Sequence, residues 1–304
     1  MESLEQLHSQ LENLHDLRNI VKTMKSLSAV NIHQYEKAVG ALHSYNRTVE
    51  LGLQVVLQDM KKIPAPQTFQ HEQSRMGAII FGSDHGLCGR FNEEIINHAL
   101  NSMTTNPDTR LLLAVGSRVA TNLEHNGHAV EDNFQFPGSA PLITTTVQQI
   151  LLKIDTWREH KNVRQVYLFY NRHAKGGSFY PASVLLLPVD LRRFHRLETT
   201  PWPSRRLPTF SMKQKQLLSR LLRQYFFIRI FHACAESQAS EHASRLSAMQ
   251  SAERNLNERI EHVTFNYRRA RQNSITSELL DIVSGAEAII GSDASKRHKI
   301  VKEC

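Results

Sequence analysis

The sequence predicts an α+β protein: a long antiparallel coiled coil of N- and C-terminal helices plus a central α/β domain. Three observations carry that reading. All ten prolines fall between Pro64 and Pro208, together with nine of the thirteen glycines. Residues 209–284 contain neither, a stretch of 76 residues. Apolar residues recur at 3-4 spacing near both ends of the chain, whereas the centre alternates strand-like and helix-like segments. Proline removes a helical hydrogen bond and glycine weakens a helix interior, so stretches lacking both permit long helices. At a rise of about 1.5 Å per residue, a helix over 209–284 spans roughly 114 Å.

Residues 1–63 form the first helix. Leu4, Leu7, Leu11 and Leu14 keep the spacing of a coiled-coil seam. Leu17, Val21, Met24 and Leu27 continue it after a three-residue step, which predicts a local shift of the seam. Pro64 and Pro66 end the element, because residues before proline avoid the helical region.

Residues 64–208 form the central domain with its linker. Gly77–Phe81 and Leu111–Val115 read as buried strands. Phe91–Asn101, Ser117–His125 and Thr146–Arg158 read as helices. Val163–Tyr170 and Ser178–Leu187 are β-rich and joined by Ala174-Lys175-Gly176-Gly177, a hairpin signal. Strands alternating with helices imply a Rossmann-like parallel layer, closed here by an antiparallel hairpin. Leu191–Pro208, with three prolines, reads as a linker.

Residues 209–290 form the second long helix. Leu217 to Phe231 is apolar nearly all round, which predicts burial on several sides against the centre. Leu246, Met249, Leu256, Ile260, Val263, Tyr267 and Ala270 then form a seam with one polar step at Glu253. Past Ala270 the apolar set changes phase to Ile275, Leu279, Ile282 and Val283. Two seams from opposite ends of one chain most simply pair with each other, antiparallel. Residues 291–304 are expected to form a disordered basic tail.

Composition narrows the function. No run of about 18 apolar residues exists, so no membrane span is expected. No signal or transit peptide is visible at the N-terminus. The three cysteines, Cys88, Cys234 and Cys304, form neither a disulfide framework nor a metal pattern. The net charge is +8. Residues 209–304 hold fifteen Lys/Arg against ten Asp/Glu, with Arg268, Arg269 and Arg271 clustered. Without interleaved stacking aromatics, this excess suits a solvated face or an acidic protein surface rather than nucleic acid.

The sharpest local string is Ser83-Asp84-His85-Gly86-Leu87-Cys88-Gly89. Strand, glycine-rich turn and helix form the context in which backbone amides hold phosphate. Yet the spacing matches no phosphate-loop pattern and no lysine follows. A structural turn is therefore favoured, with Ser83, Asp84, Gly86, Cys88 and Gly89 as its key residues, Asp84 as a turn or cap residue and Cys88 as a packed thiol. Cys88 beside His85 is the competing nucleophile reading. His173, His195 and His242 read as surface or helix-face residues, and no catalytic set, cofactor site or metal site is expected.

The string Arg271-Gln272-Asn273-Ser274-Ile275-Thr276-Ser277-Glu278-Leu279-Leu280-Asp281-Ile282-Val283-Ser284-Gly285 closely resembles the C-terminal signature of the gamma subunits of F-type ATP synthases. Ser83–Gly89 resembles that family's S-D-x-G-L-C-G turn, and Val21–Ala29 and Glu236–Met249 also fit. The resemblance covers about residues 3–290. It implies a non-catalytic central-stalk rotor turning inside a ring of alpha and beta subunits, beside an epsilon subunit and the membrane c-ring. ATP, ADP and Mg²⁺ would be bound by the alpha and beta subunits, with no cofactor in this chain. The implied location is peripheral, on the cytoplasmic face of a bacterial inner membrane. The implied interface residues are Met24 and Lys25, facing the lower lip of the beta subunits, Arg271, Gln272, Thr276 and Glu278, facing the bearing and catch loops, and Arg268, which with Arg271 suits acidic beta loops. Val30–Ala38 and Arg90 depart from the common pattern, and Phe81–Leu87, Val166–Arg172 and Cys234–Ser237 resemble the alternate-operon, sodium-type gamma subunits. The coupling ion is left open between proton and sodium. Competing readings are a coiled-coil scaffold of another complex and an α/β enzyme acting on a phosphorylated ligand.

Overall fold

A computed structural model describes residues 3–58, 75–103, 109–174, 178–190 and 208–300, with side chains described as far as Ala286. The predicted end at Pro64 and Pro66, the linker over 191–207 and the hairpin residues 175–177 lie outside the described residues. The elements run α1 (Leu4–Gln58), β1 (Arg75–Phe81), α2 (Phe91–Ser102), β2 (Arg110–Val115), α3 (Ser117–His125), β3 (Val130–Phe134), a 3-10 turn (Ala140–Leu142), α4 (Ile143–His160), β4 (Val163–His173), β5 (Phe179–Leu187) and α5 (Gln214–Ile300). The chain divides into two bodies, residues 25–248 and residues 1–24 with 249–304.

The larger body is built on a five-stranded sheet of order β3-β2-β1-β4-β5. β1 lies parallel to β2 and β4, and β3 parallel to β2, while β5 runs antiparallel to β4. The expected parallel layer and closing hairpin are therefore present. β3 was not expected. Its sequence Val130-Glu131-Asp132-Asn133-Phe134 is mostly polar because it is an edge strand with only partial burial. One sheet face carries α2 and α3 through Ile95, Ile96, Val119 and Leu123. The other is covered by α4 through Val147, Ile150 and Trp157, and by α5 through Ile230 and Ala233. Central β1 is buried at six consecutive positions, which accounts for its unbroken apolar run.

The two long helices meet within this body. Tyr35 stacks on His242 with ring centroids 5.7 Å apart, the Tyr45 hydroxyl donates to Gln224 Oε1 at 2.8 Å, and Gln214 Nε2 donates to the Val56 carbonyl at 3.0 Å. Rising numbers on α1 meet falling numbers on α5, so the helices run antiparallel. Val49, Leu53 and Leu57 pack with Tyr225 and Ile228.

The burial pattern of α1 corrects the expected seam shift. Leu4, Leu7, Leu11, Leu14, Arg18, Val21, Lys25, Ser28, Ile32 and Tyr35 are each buried or half-buried, an unbroken 3-4 repeat. Leu17 and Leu27 are instead 50 % and 58 % exposed. The heptad geometry continues through Arg18, Lys25 and Ser28, whose stems and small size fit the seam. Following hydrophobicity alone led onto the neighbouring outward stripe.

Burial on α5 is deepest beyond the stretch expected to be buried on several sides. Leu217 to Phe231 is a mixture of buried, half-buried and exposed positions. The near-continuous buried run is Ala233 to Arg245, rich in alanine and serine. Small side chains let a helix backbone approach a sheet closely, and they carry little hydrophobic signal.

In the smaller body, Leu7, Met249, Ile260 and Val263 are buried, and the His8 ring lies 5.8 Å from the Tyr267 ring. The predicted C-terminal seam holds there. α5 continues through Ile300, so no break in helix marks the boundary expected at 290 or the tail expected to be disordered up to that residue.

Candidate functional site

The glycine turn after β1 is a joint between the sheet and α5, wholly within residues 25–248. The Ser83 hydroxyl donates to the His85 carbonyl at 2.9 Å and accepts from Asn92 Nδ2 at 2.8 Å. Asp84 reaches across to the neighbouring strand end. Its Oδ1 accepts from the Ser117 amide at 2.8 Å and the Ser117 hydroxyl at 3.0 Å, and its Oδ2 accepts from the Phe136 amide at 2.7 Å. The N-terminus of α3 has no cap from its own preceding residue, and Asp84 supplies one from β1's loop. Gly89 has φ +60° and Leu87 φ +63°, so the chain turns through the left-handed region twice before α2 begins. Gly86 has no comparable demand, since an added Cβ would meet only Arg118 Nη2 at 3.8 Å.

Helix α5 holds this turn from the other side. The Ser244 hydroxyl donates to the Cys88 carbonyl at 2.7 Å, and Arg245 Nη2 donates to the His85 and Gly86 carbonyls at 3.4 Å each. The Ser240 hydroxyl donates to the Asn171 carbonyl at 3.0 Å, while Asn171 Nδ2 donates to the Phe91 carbonyl at 3.0 Å. Arg245 also pairs with Glu241, both side chains nearly fully buried. Burial pushes the Glu241 carboxyl up to about 7, with Arg245 opposing that shift and Asp84 adding to it. Burial and the adjacent Arg245 bring His242 down to about 4, so it packs as a neutral ring on Tyr35.

The anion position at the start of α3 is filled by Asp84 itself. Cys88 Sγ lies 3.8 Å from the His85 carbonyl and 3.7 Å from the Ser83 hydroxyl. Burial raises its pKa, which opposes thiolate formation. His173 Nε2 lies 3.8 Å from Glu36, and His195 is outside the described residues. Among the described residues, no group of three His, Cys, Asp or Glu could hold a metal ion. Among them too, no helix is long and apolar enough to cross a membrane.

Sequence reasoning picked the turn but missed most of what holds it. Asn92, Asn171, Ser240, Ser244 and Arg245 are buried polar groups spread over three elements. The available signal was an unusual run of serine, glutamate and arginine inside a helix otherwise free of breakers.

The residues expected to face other subunits lie on the long helices. Met24 and Lys25 are half-buried on α1. Arg268, Arg271, Gln272, Thr276 and Glu278 are all exposed on α5. The Thr276 hydroxyl donates to the Gln272 carbonyl at 2.8 Å, and the Ser274 hydroxyl donates to Glu278 at 3.3 Å. With His8 against Tyr267 and α1 starting at Leu4, the antiparallel partner ends near Arg271. Every position from 271 to 286 is exposed, including Ile275, Leu279, Leu280, Ile282 and Val283 at 49–69 %. The phase change seen after Ala270 marks the point where α1 runs out.

Comparison with known proteins agrees with this architecture. The ATP synthase family model matches residues 3–289. The ATP synthase gamma chain of Phocaeicola vulgatus is 28 % identical over 296 residues, covering 95 % of this chain and all of that one. The gamma chain of Desulfitobacterium hafniense is 28 % identical over 290 residues with the same coverage. A chain of the Euglena gracilis mitochondrial ATP synthase, solved by cryo-EM as an OSCP/F1/c-ring assembly, shares the fold with a TM-score of 0.67 at 15 % identity, covering 94 % of each chain. With the family model matching residues 3–289 and gamma chains aligning over 95 % of its length, the chain belongs to the ATP synthase gamma-chain family.

Proposed function

We infer that this chain works as the rotating central stalk of an F-type ATP synthase, without catalytic residues of its own. It would pass torque between a membrane ion-driven c-ring and the nucleotide sites of surrounding alpha and beta subunits, with an epsilon subunit at its side. It would sit peripherally at a membrane through that complex. In bacteria this means the cytoplasmic face of the inner membrane. ATP, ADP and Mg²⁺ belong to the neighbours in this reading. The ion, proton or sodium, is chosen in the membrane ring. The strings Phe81–Leu87, Val166–Arg172 and Cys234–Ser237 favour the sodium-type, alternate-operon subtype, and the order of neighbouring ATPase genes tests that.

The single observation carrying this reading is the uncovered C-terminal stretch of α5. Five large apolar side chains stand exposed from 275 to 283, where α1 no longer reaches. Exposed apolar stripes of this length mark surfaces that other chains cover. Arg268 and Arg271 beside them suit acidic loops. Met24, Lys25, Gln272, Thr276 and Glu278 complete the proposed contact set.

Reconstitution tests it. The purified chain alone should hydrolyse no ATP, and should assemble with alpha and beta subunits into an active ATPase. Leu280→Asp with Ile282→Asp should leave the isolated chain's thermal stability unchanged yet weaken assembly at least about tenfold, or about 1.4 kcal/mol. Failure to associate with alpha and beta subunits would overturn the stalk reading in favour of a scaffold for another complex.

A further inference from the structure

Within residues 25–248, a cavity of about 470 Å³ lies between α1, the β4–β5 hairpin and α5. Gly40 is part of its α1 wall, and an added Cβ there would meet nothing within 4 Å. The polar lining holds two arginines, Arg172 on β4 and Arg229 on α5, with His232 on α5 and His43 on α1. Leu42 and Ile228 supply an apolar side.

Most of the nearby charge is already engaged. Glu236 lies 3.4 Å from Arg172 Nε and 3.2 Å from His232 Nδ1. Arg229 is different. Its guanidinium stands 6.0 Å over the Tyr225 ring and has no carboxylate partner among the described residues. Tyr170, only 4 % exposed, lines the same cavity. Its hydroxyl has no hydrogen-bond partner among the described residues. A hydroxyl that opens into the cavity can donate to an occupant there, and the Arg229 guanidinium pairs best with an oxyanion.

We propose that this cavity binds a small organic phosphate, with the phosphate at Arg229 and the Tyr170 hydroxyl and the organic body against Leu42 and Ile228. The donors come from different elements, Tyr170 from β4 and Arg229 from α5. The three free oxygens of a phosphate monoester satisfy such a set better than the two coplanar oxygens of a carboxylate. The volume falls in the range of small-molecule sites and leaves room for more than a bare ion. An occupant would tie α1 and α5 to the hairpin and stabilise the fold by mass action. The proposal is independent of the stalk reading.

The test uses the full chain, with phenyl phosphate, inorganic phosphate and benzoate as probes in calorimetric titration and thermal melts. Phenyl phosphate should bind saturably, with a Kd of about 1 mM or below, and more tightly than the other two. Arg229→Gln should weaken binding at least about tenfold, and Tyr170→Phe about threefold. Gly40→Leu should block binding while leaving the fold intact, since it fills open space at a helical position. It therefore decides the matter even if Arg229→Gln disturbs folding. Arg158→Gln, on α4, should change nothing. Absence of saturable phenyl phosphate binding at about 10 mM would overturn the proposal. So would binding that survives both Arg229→Gln and Gly40→Leu. Equal or tighter binding of benzoate would overturn the phosphate assignment, and equal binding of inorganic phosphate would overturn the apolar subsite.

Discussion

Replacing Asp84 by alanine should loosen the edge of the central sheet by an amount the structure sets. The carboxylate accepts three hydrogen bonds: two from the Ser117 amide and hydroxyl and one from the Phe136 amide. Each bond to a charged acceptor contributes roughly 1.5–3 kcal/mol when buried. Asp84 is half-buried, so the lower end applies, and the hydroxyl can turn to water. Two amide bonds at the low end give a loss of about 3 kcal/mol for Asp84→Ala. Asparagine keeps one carbonyl acceptor and can satisfy only one amide, so Asp84→Asn should lose about 1–2 kcal/mol. Ser117→Ala removes one exposed-side bond and should lose under about 1 kcal/mol. For a body of this size each kcal/mol moves Tm by about 2–4 °C, so the alanine variant should melt roughly 6–12 °C lower. Amide hydrogen exchange localises the effect: Ser117 and Phe136 should lose protection first. An alanine variant within about 0.5 kcal/mol of the parent, or unchanged exchange at those two amides, would refute the capping role.

Three further outcomes follow from the packing. Glu241 has a folded pKa of about 7 against an unfolded value of 4.5, so the folded state holds the extra proton between those values. Stability should therefore fall as pH rises from about 4.5 through 7, by roughly 3 kcal/mol, and urea titrations at pH 5 and pH 8 should differ in that direction. Glu241→Gln should flatten the slope, and a slope that persists unchanged would assign it elsewhere. Ala239→Leu inserts three carbons into the tightest part of α5 and should cost about 1–3 kcal/mol, read from thermal melts. Val263→Asp places a charge at a seam position that is 2 % exposed and should cost several kcal/mol, more than Leu256→Asp at a half-buried position. Equal effects from those two would contradict the seam geometry in which Val263 lies deeper.

How far the molecule was legible can be judged element by element. Helix Ser117–His125 and strands Arg110–Val115 and Arg75–Phe81 stand within two residues of their expected positions, because apolar period and glycine punctuation are local signals. β3 escaped notice because an edge strand buries little. Leu4, Leu7, Leu11 and Leu14 mark the α1 seam in sequence, but beyond them Leu17 and Leu27 advertise hydrophobicity while Arg18 and Ser28 occupy the groove. The turn Ser83–Gly89 was visible as a motif, but its partners Ser244 and Arg245 lie some 156 residues or more away and are ordinary polar letters in one dimension.

The amino-acid sequence by itself determined the layout of long helices around an α/β centre, since proline and glycine act on the backbone where they stand. It also determined the family, through the strings at 83–89 and 271–285. Only the tertiary structure decided which faces are covered. Burial depends on what packs from elsewhere in the chain. Hence Ala233–Arg245 is the close-packed joint, Asp84 caps a helix it does not adjoin, and α5 runs past the start of α1 with its apolar residues uncovered.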